Sequence, residues 1–285
     1  MGWGKISVGF PWFNKMFVAI TPFLALFMGM GHMTRWKHDE PMRLVRGLWI
    51  AFALGVGAAV AAVLFMPITA DTWFYVPLGI GLATWLLVSH VQGVRERLKR
   101  KQGLASLIPD LLGNGRSYYG MVLAHLGVAM FIVGATMVSN FGLEQDVRMS
   151  PGDVEEAAGY RFKFLGVEDH PGPNYTAARG HFQVFKGEEQ IAELWPEKRR
   201  YFTSAKPMTE ASIDWGFTRD LYVSLGEPVG GGDWALRIYY KPYVRWIWFG
   251  GVLMALGGIL AITDRRYRTA RKAAKAPSGA AAAKV

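Results

Sequence analysis

The sequence predicts an α-helical polytopic membrane protein of about five transmembrane helices, into which a small antiparallel β domain is inserted. Three observations predict this fold class. Five apolar stretches are long enough to cross a bilayer, which takes about 20 apolar residues. Basic residues cluster beside these stretches. Mean hydropathy is only +0.15 although apolar residues make up 51% of the chain, so apolar spans must alternate with ordinary polar sequence.

The five spans follow one another with one long interruption before the last. We expect them at Phe17–Met33, Leu48–Met66, Trp73–Val91, Tyr119–Val138 and Val244–Thr263. The second span is rich in glycine and alanine, which predicts close packing against neighbouring helices. The fifth opens with Tyr243, Trp246 and Trp248, an aromatic belt typical of a membrane–water interface.

Basic residues orient the spans. They lie in the loop between spans one and two, in the loop between spans three and four, and in the tail: Arg35, Lys37, Arg43, Arg46; Arg95, Arg97, Lys99, Arg100, Lys101, Arg116; Arg265, Arg266, Arg268, Arg271, Lys272 and Lys275. By the positive-inside rule these segments are cytoplasmic, so the N-terminus and residues 140–242 lie on the opposite side. The net charge of +10 therefore indicates a membrane surface rather than nucleic acid as the binding partner.

The sequence contains no cysteine, which excludes disulfides, thiolate metal sites and cysteine nucleophiles.

Residues 140–242 carry the alternation of apolar and polar side chains that is typical of β-strands. The alternation is clearest in residues 160–167 and recurs more loosely in residues 181–186, 191–195, 220–225 and 234–240. Turn-forming residues separate these stretches, including the glycine run at 230–232. Several short strands at this spacing predict a small antiparallel barrel or sandwich.

The expected organisation has five parts. They are the end of an external loop (1–15), four transmembrane helices with basic cytoplasmic loops (16–139), the β domain (140–242), the fifth transmembrane helix (243–263) and a basic, disordered cytoplasmic tail (264–285). No short basic region with a cleavage site precedes the first span, so no signal peptide is predicted. A chain that begins outside in mid-loop is expected to be the C-terminal part of a longer protein.

His125 is the candidate functional residue. It is the only side chain of the fourth span that changes charge near neutral pH. Insertion of a charged residue at mid-span costs roughly 2.5–3.5 kcal/mol, which histidine avoids in large part by staying neutral. A neutral imidazole can bind a metal or a haem iron, or it can form a hydrogen bond to a neighbouring helix. Gly120 and Gly127 could leave room beside it for a large flat ligand.

The other polar candidates are expected to be structural or solvent-exposed residues. His32 and His38 flank the cytoplasmic end of span one, and His90 near the end of span three is expected to snorkel. His170 and His181 are expected to be exposed or to face a partner. Residues 197–200 form a charge run, which is usually a solvated face, although an anion-binding cluster is the alternative. Glu210 and Asp214 are too loosely spaced to indicate an acid–base pair. No catalytic residue is predicted.

One set of motifs resembles a known family. Residues Arg116–Gly127, RSYYGMVLAHLG, resemble a haem-ligating histidine span of the cytochrome c-type biogenesis protein CcmF, the membrane subunit of a haem lyase. Further matching motifs follow in order at residues 172–175, 196–199, 208–211, 220–228, 239–248 and 264–268. The earlier spans fit the hydropathy of the family.

The resemblance implies a function. In CcmF a transmembrane b haem is held by two histidines on different helices, and His125 matches the second. The b haem passes electrons toward an incoming haem, which then forms thioether bonds with the CXXCH motif of apocytochrome c. Implied partners are a haem chaperone, thiol-handling and apocytochrome-binding maturation subunits, and apocytochrome c itself. The implied location is the bacterial inner membrane, with the β domain on the periplasmic side and the C-terminus in the cytoplasm.

Two family features have no counterpart in the sequence. The tryptophan-rich WWD segment that carries the external haem is absent, and so is the first b-haem histidine. The haem b is therefore expected to be shared with a histidine of a missing N-terminal portion or a separate subunit. We expect the chain to be part of a haem lyase (holocytochrome c synthase) complex, as a split subunit or a truncated fragment. A haem transporter and a non-catalytic scaffold of the assembly complex are the alternatives.

Overall fold

A computed structural model describes residues 9–35, 38–99, 115–204 and 206–264. Within these residues the chain forms five helices: α1 (Phe10–Gly31), α2 (Pro41–Phe65), α3 (Tyr75–Lys99), α4 (Arg116–Phe141) and α5 (Val244–Ile262). Ten strands lie between α4 and α5: β1 (Leu143–Met149), β2 (Val154–Ala157), β3 (Tyr160–Pro171), β4 (Tyr175–Lys186), β5 (Glu189–Leu194), β6 (Glu197–Tyr201), β7 (Met208–Glu210), β8 (Ser212–Trp215), β9 (Arg219–Gly230) and β10 (Asp233–Pro242). The chain divides into a helical unit, residues 1–133 with 248–285, and a β unit, residues 134–247.

The predicted fold class is confirmed. In the described part of the chain, α2, α3, α4 and α5 are long and apolar enough to cross a membrane, whereas α1 contributes the shorter apolar stretch Lys15–Gly31. Three boundaries differ from expectation by seven residues or more, and one of them is the start of the second helix, which is at Pro41 rather than Leu48. The first helix begins at Phe10 because Pro11 occupies its first turn, where the missing N–H is not needed. The third helix continues to Lys99, since polar residues outside an apolar layer can extend a helix. Of the expected tail, 264–285, the residues after Asp264 lie outside the described part of the chain.

The helical unit buries several small residues and exposes many large apolar ones. Its interior contains small or flat side chains from α1 to α4, among them Ala25, Ala51, Trp85 and Ala129. Bulky apolar side chains cover the outer faces of the helices, including Phe23, Phe27, Trp49, Leu64 and Ile259. This distribution is expected of helices surrounded by lipid, because lipid tails are as apolar as the large side chains that contact them.

Glycines bring α4 and α5 together. A Cβ on Gly127 would lie 2.6 Å from the carbonyl oxygen of Gly250. Gly120, which lies about two helical turns before Gly127, faces Gly257 in the same way. Only a residue without a side chain permits this backbone contact. At the beginning of α4, Asp264 accepts a 2.9 Å hydrogen bond from the backbone N–H of Ser117, which satisfies a free donor of the helix N-terminus.

The β unit is a sandwich of two antiparallel sheets. One sheet has the order β1-β10-β9-β8, and the other has the order β2-β3-β4-β6-β7 with β5 also paired to β4. Alternate side chains of both sheets point inward, and the core contains residues that are fully buried: Phe162, Phe164, Phe182, Val184, Leu221, Val223, Leu225 and Ile238. The sequence was compatible with either a barrel or a sandwich. The strands form two separate sheets, which identifies the β unit as a sandwich.

Candidate functional site

His125 lies in the first half of α4 and contacts a second histidine. Its Nδ1 is 2.7 Å from Nε2 of His90 on α3, and the two rings meet edge to face with centroids 4.8 Å apart. His90 is only 1% exposed, whereas His125 is partly exposed. His125 is therefore hydrogen-bonded to a neighbouring helix.

The direction of this hydrogen bond follows from the other nitrogen of His90. That nitrogen, Nδ1, lies 2.8 Å from the carbonyl oxygen of Leu86. A carbonyl oxygen only accepts, so Nδ1 of His90 carries the hydrogen. In a neutral imidazole Nε2 is then an acceptor, and it receives the N–H from Nδ1 of His125. The same rule leaves Nε2 of His125 without a hydrogen. Within the described residues that atom has no hydrogen-bond partner and is not enclosed.

His32 completes a cluster of three histidines. Its ring stacks on that of His90 with centroids 4.1 Å apart and an interplanar angle of 20°. Its Nε2 donates to the carbonyl oxygen of Ser89 at 3.0 Å. We call His32, His90 and His125 the histidine cluster. His32 directly follows α1, whereas His90 and His125 lie on α3 and α4, so the contacts of the cluster join the three helices.

The structure corrects two expectations beside His125. His90 does not snorkel: it is buried and hydrogen-bonded at both ring nitrogens, because its own helix supplies the carbonyl of Leu86 and the neighbouring helix α4 supplies His125. Gly120 and Gly127 do not leave room for a flat ligand, because the backbone of α5 packs directly on them. Reasoning from one helix at a time missed both His32 and His90.

The cluster is compatible with one axial ligand to a haem iron. The described residues contain no group of three or more histidine or acidic side chains placed to hold a metal ion. His90 uses both nitrogens in hydrogen bonds, and Nδ1 of His32 faces the carbonyl oxygen of Met28 at 3.5 Å, so Nε2 of His125 is the lone pair of the cluster that is open to iron. Tyr118 lies two helical turns before His125 on the same face of α4, and its buried hydroxyl has no partner within the described residues. A buried hydroxyl normally finds a polar partner.

The charge run at residues 197–200 forms ion pairs. Glu197 is 5% exposed, and its carboxylate accepts hydrogen bonds at 2.8 Å from Arg179 and at 2.7 Å from Arg199. Burial raises the pKa of Glu197, but the two guanidinium groups together outweigh burial, so the pKa lies below its ordinary value. Lys198 pairs with Glu227 at 2.9 Å. These pairs favour the structural interpretation of the run over an anion-binding one.

Glu210, Asp214 and His181 are also engaged within the β unit. Glu210 pairs with Arg199 at 3.5 Å and Asp214 pairs with Arg219, so the two carboxylates have different partners and do not form an acid–base pair. His181 stacks on Trp195 with ring centroids 3.7 Å apart. No arrangement in this unit indicates a catalyst within the described residues.

The chain is similar to proteins of known name. A family model described as the CcmF C-terminal beta-sandwich matches residues 140–242. The cytochrome c-type biogenesis protein CcmF of Pseudomonas aeruginosa is 44% identical over 264 residues, which are 93% of this chain and 39% of that protein. CcmF of Escherichia coli is 40% identical over 275 residues, 94% of this chain and 40% of that protein. The chain matches the C-terminal portion of CcmF. The resemblance found in the sequence is thereby confirmed.

A solved structure has the same fold. The structure titled Cytochrome c Heme Lyase CcmF superposes with a TM-score of 0.73 and 21% sequence identity, covering 90% of this chain and 41% of that one. The chain thus spans about two fifths of the length of the CcmF proteins that it matches.

Proposed function

We propose that this chain is part of the membrane subunit of a cytochrome c haem lyase, and that His125 supplies one axial ligand to a transmembrane b haem. One observation carries the proposal. His125 donates from Nδ1 to His90 and keeps an unpaired Nε2 on an apolar helix long enough to cross a membrane. The similarity to CcmF supplies the class of protein.

The second axial ligand comes from outside this chain. His90 is committed to Leu86 and His125, and the 3.0 Å bond of His32 Nε2 to Ser89 occupies that nitrogen. Neither histidine can turn toward the same iron without breaking these bonds. We therefore assign the second ligand to the N-terminal portion of CcmF, which this chain does not cover, whether it is joined to the chain or a separate subunit.

The role of each part of the chain follows from this assignment. When bound, the b haem supplies electrons to the incoming haem before its attachment to the CXXCH thiols of apocytochrome c. His125 would hold the iron through Nε2, the ring nitrogen that it does not use in its bond to His90. The β unit lies on the periplasmic face of the bacterial inner membrane, where a haem chaperone, thiol-handling and apocytochrome-binding subunits and apocytochrome c meet it.

The test is a substitution of the ligand. His125→Ala, co-expressed with the N-terminal portion of the Pseudomonas aeruginosa CcmF, should give a complex that lacks the b-type α band in a reduced-minus-oxidised spectrum. His38→Ala is the control, because His38 is exposed in the loop after α1 and should leave the band unchanged. A full band in His125→Ala would exclude His125 as the ligand.

The same strains separate the alternatives. A non-catalytic scaffold would support cytochrome c maturation in His125→Ala as well as in the wild type. A haem transporter needs a continuous polar route across the membrane. In the described helices the three histidines of the cluster meet at one level, in contacts of 4.1 Å and 4.8 Å between rings, and so favour a single site over a route.

A further inference from the structure

His90 has no role in the resemblance to CcmF, although it is the most buried histidine of the cluster. We propose that His90 is a positioning residue, which holds His125 in the one tautomer whose Nε2 lone pair can bind iron. This inference rests on the proposed function of His125 as a haem ligand. Two hydrogen bonds form a series that runs from the carbonyl of Leu86 through His90 to His125.

The series has one direction. The Leu86 carbonyl accepts from Nδ1 of His90 at 2.8 Å, and Nε2 of His90 accepts from Nδ1 of His125 at 2.7 Å. If the hydrogen of His125 moved to Nε2, its Nδ1 lone pair would face the lone pair of His90 Nε2. If the hydrogen of His90 also moved to Nε2, the Nδ1 lone pair of His90 would face the carbonyl oxygen of Leu86. In an apolar surrounding, leaving a donor without its acceptor costs about 1–3 kcal/mol. The series therefore disfavours the tautomer of His125 that would carry its hydrogen on Nε2 and could not bind iron.

Packing prevents His90 from rotating out of this series. Its ring lies against the ring of His32, whose own Nε2 is anchored to the Ser89 carbonyl at 3.0 Å. Gly93, one turn after Ser89, makes this arrangement possible, because a Cβ there would lie 2.5 Å from Nε2 of His32. The indole of Trp85 donates to the carbonyl of Leu26 at 3.3 Å and joins the same two helices. The position of His90 is thus determined by the contact of α1 with α3.

The hydrogen bond also affects the iron. An imidazole that donates from Nδ1 to a good acceptor is more basic at Nε2, and it stabilises ferric iron more than ferrous iron. Loss of the acceptor should therefore weaken haem binding and raise the midpoint potential. His90 would then set the reducing power of a haem that it does not touch.

The first experiment reads the tautomer without haem. The full chain, labelled with ¹⁵N-histidine and purified without haem in detergent at constant pH, is compared with His125→Ala to assign the resonances of His125. We expect Nδ1 of His125 to be protonated and Nε2 to be unprotonated. In His90→Leu both tautomers should appear. A wild-type His125 with its hydrogen on Nε2, or an unchanged tautomer in His90→Leu, would overturn the proposal.

The second experiment uses the complex with the N-terminal portion of the Pseudomonas aeruginosa CcmF. His90→Leu should lower haem affinity about 10-fold and raise the midpoint potential, as expected when the partner of a metal-ligating histidine is removed. His90→Gln retains an acceptor and should restore both quantities at least in part. Ser89→Ala is the matched control: the buried hydroxyl of Ser89 donates to the carbonyl oxygen of Leu86 at 3.0 Å and lies 3.4 Å from Nδ1 of His90, so it touches His90 without contacting His125.

The two proposals fail differently. If the wild-type complex binds no b haem, the proposed function fails, whereas the tautomer of the haem-free chain still tests the series. If haem is bound and the affinity and potential of His90→Leu equal those of the wild type, His125 is a ligand and His90 is not its positioning residue.

Discussion

At the scale of single residues, the histidine cluster shows how an apolar span tolerates imidazoles. Each ring can stay neutral and donate its single N–H to a neighbour: His32 to Ser89, His90 to Leu86 and His125 to His90. A neutral, hydrogen-bonded ring avoids the cost of a charge in the membrane. The lone pair on Nε2 of His125 has no hydrogen-bond partner within the described residues, and the proposed function depends on that atom.

The first residue-scale prediction concerns this lone pair. His125→Gly removes the ligand and leaves a space of the size of an imidazole beside His90. We expect the co-expressed complex to lose its b haem and to recover part of the absorption band, and part of cytochrome c maturation, when imidazole is added. Added imidazole should have no effect on His125→Leu, because leucine fills the space. Equal recovery in both variants would show that imidazole acts elsewhere.

The second residue-scale prediction concerns Glu197 in the β sandwich. Its folded pKa is depressed, so its contribution to stability is present above its ordinary pKa of about 4.3 and is lost as the pH falls through the folded pKa. Glu197→Gln should lower the free energy of unfolding at pH 7 by about 2 kcal/mol, since it removes charge-assisted hydrogen bonds from two arginines. The difference from the wild type should shrink under acidic conditions.

Urea unfolding, followed by tryptophan fluorescence at several pH values, measures this difference. Glu188→Gln is the control, because the side chain of Glu188 is 98% exposed and its pair with Arg161 should add little. A Glu197→Gln variant as stable as Glu188→Gln at pH 7 would contradict the structural role assigned to the pair.

The sequence predicted some of these residues and missed others for identifiable reasons. His125 was found because it interrupts an apolar run. His90 and His32 were assigned ordinary roles because each stands at the end of its own span. Their partners lie on other helices, and spacing along one helix does not report such contacts. A signal was present nevertheless: the orientation of the spans places the ends of spans one and three on the same side as the beginning of span four.

At the scale of elements, glycine determines which helices meet. Gly120 and Gly127 face Gly257 and Gly250, and each pair allows backbone contact between α4 and α5. The sequence predicted close packing from the glycine and alanine of the second span, but it assigned the glycines of the fourth span to a ligand space. Spacing alone does not distinguish a glycine that faces a cavity from one that faces a helix.

Neighbouring glycines of α5 allow a matched element-scale prediction. Gly250→Ala places a Cβ 2.5 Å from the carbonyl oxygen of Gly127, so the two helices must separate, at a cost of about 1–3 kcal/mol. Gly251→Ala meets nothing within 4 Å and should be neutral or slightly stabilising, since alanine favours helix. Thermal unfolding in detergent should show a lower Tm for Gly250→Ala only. Equal Tm values would contradict the α4–α5 contact.

At the scale of the whole molecule, charge determines the proposed orientation. The basic loops and tail favour the cytoplasm, which leaves the β unit on the periplasmic face. The strand pattern was sufficient to predict an antiparallel β domain, but pattern alone did not distinguish a barrel from a sandwich. That distinction depends on which strands pair with each other. The alternation of apolar and polar side chains shows which face of a strand is buried, but it does not show which distant strand is its neighbour.

The natural absence of cysteine makes the orientation directly testable. A single cysteine at Glu188, in the exposed turn between β4 and β5, should react with a membrane-impermeant maleimide added to intact spheroplasts. A single cysteine at His38, in the loop after α1, should react only after the membrane is permeabilised. The reverse labelling pattern would invert the proposed topology.

The central claim is that this chain contributes one of two axial ligands to a shared b haem. The most direct measurement is the reduced-minus-oxidised absorption spectrum of the purified chain, alone and with the co-expressed N-terminal portion of a CcmF protein. The account predicts a bis-histidine b-type α band only when both parts are present, and its loss in His125→Ala. A b-type band from the chain alone would contradict the account, because a second histidine of this chain would then have to leave its hydrogen bonds and bind the iron.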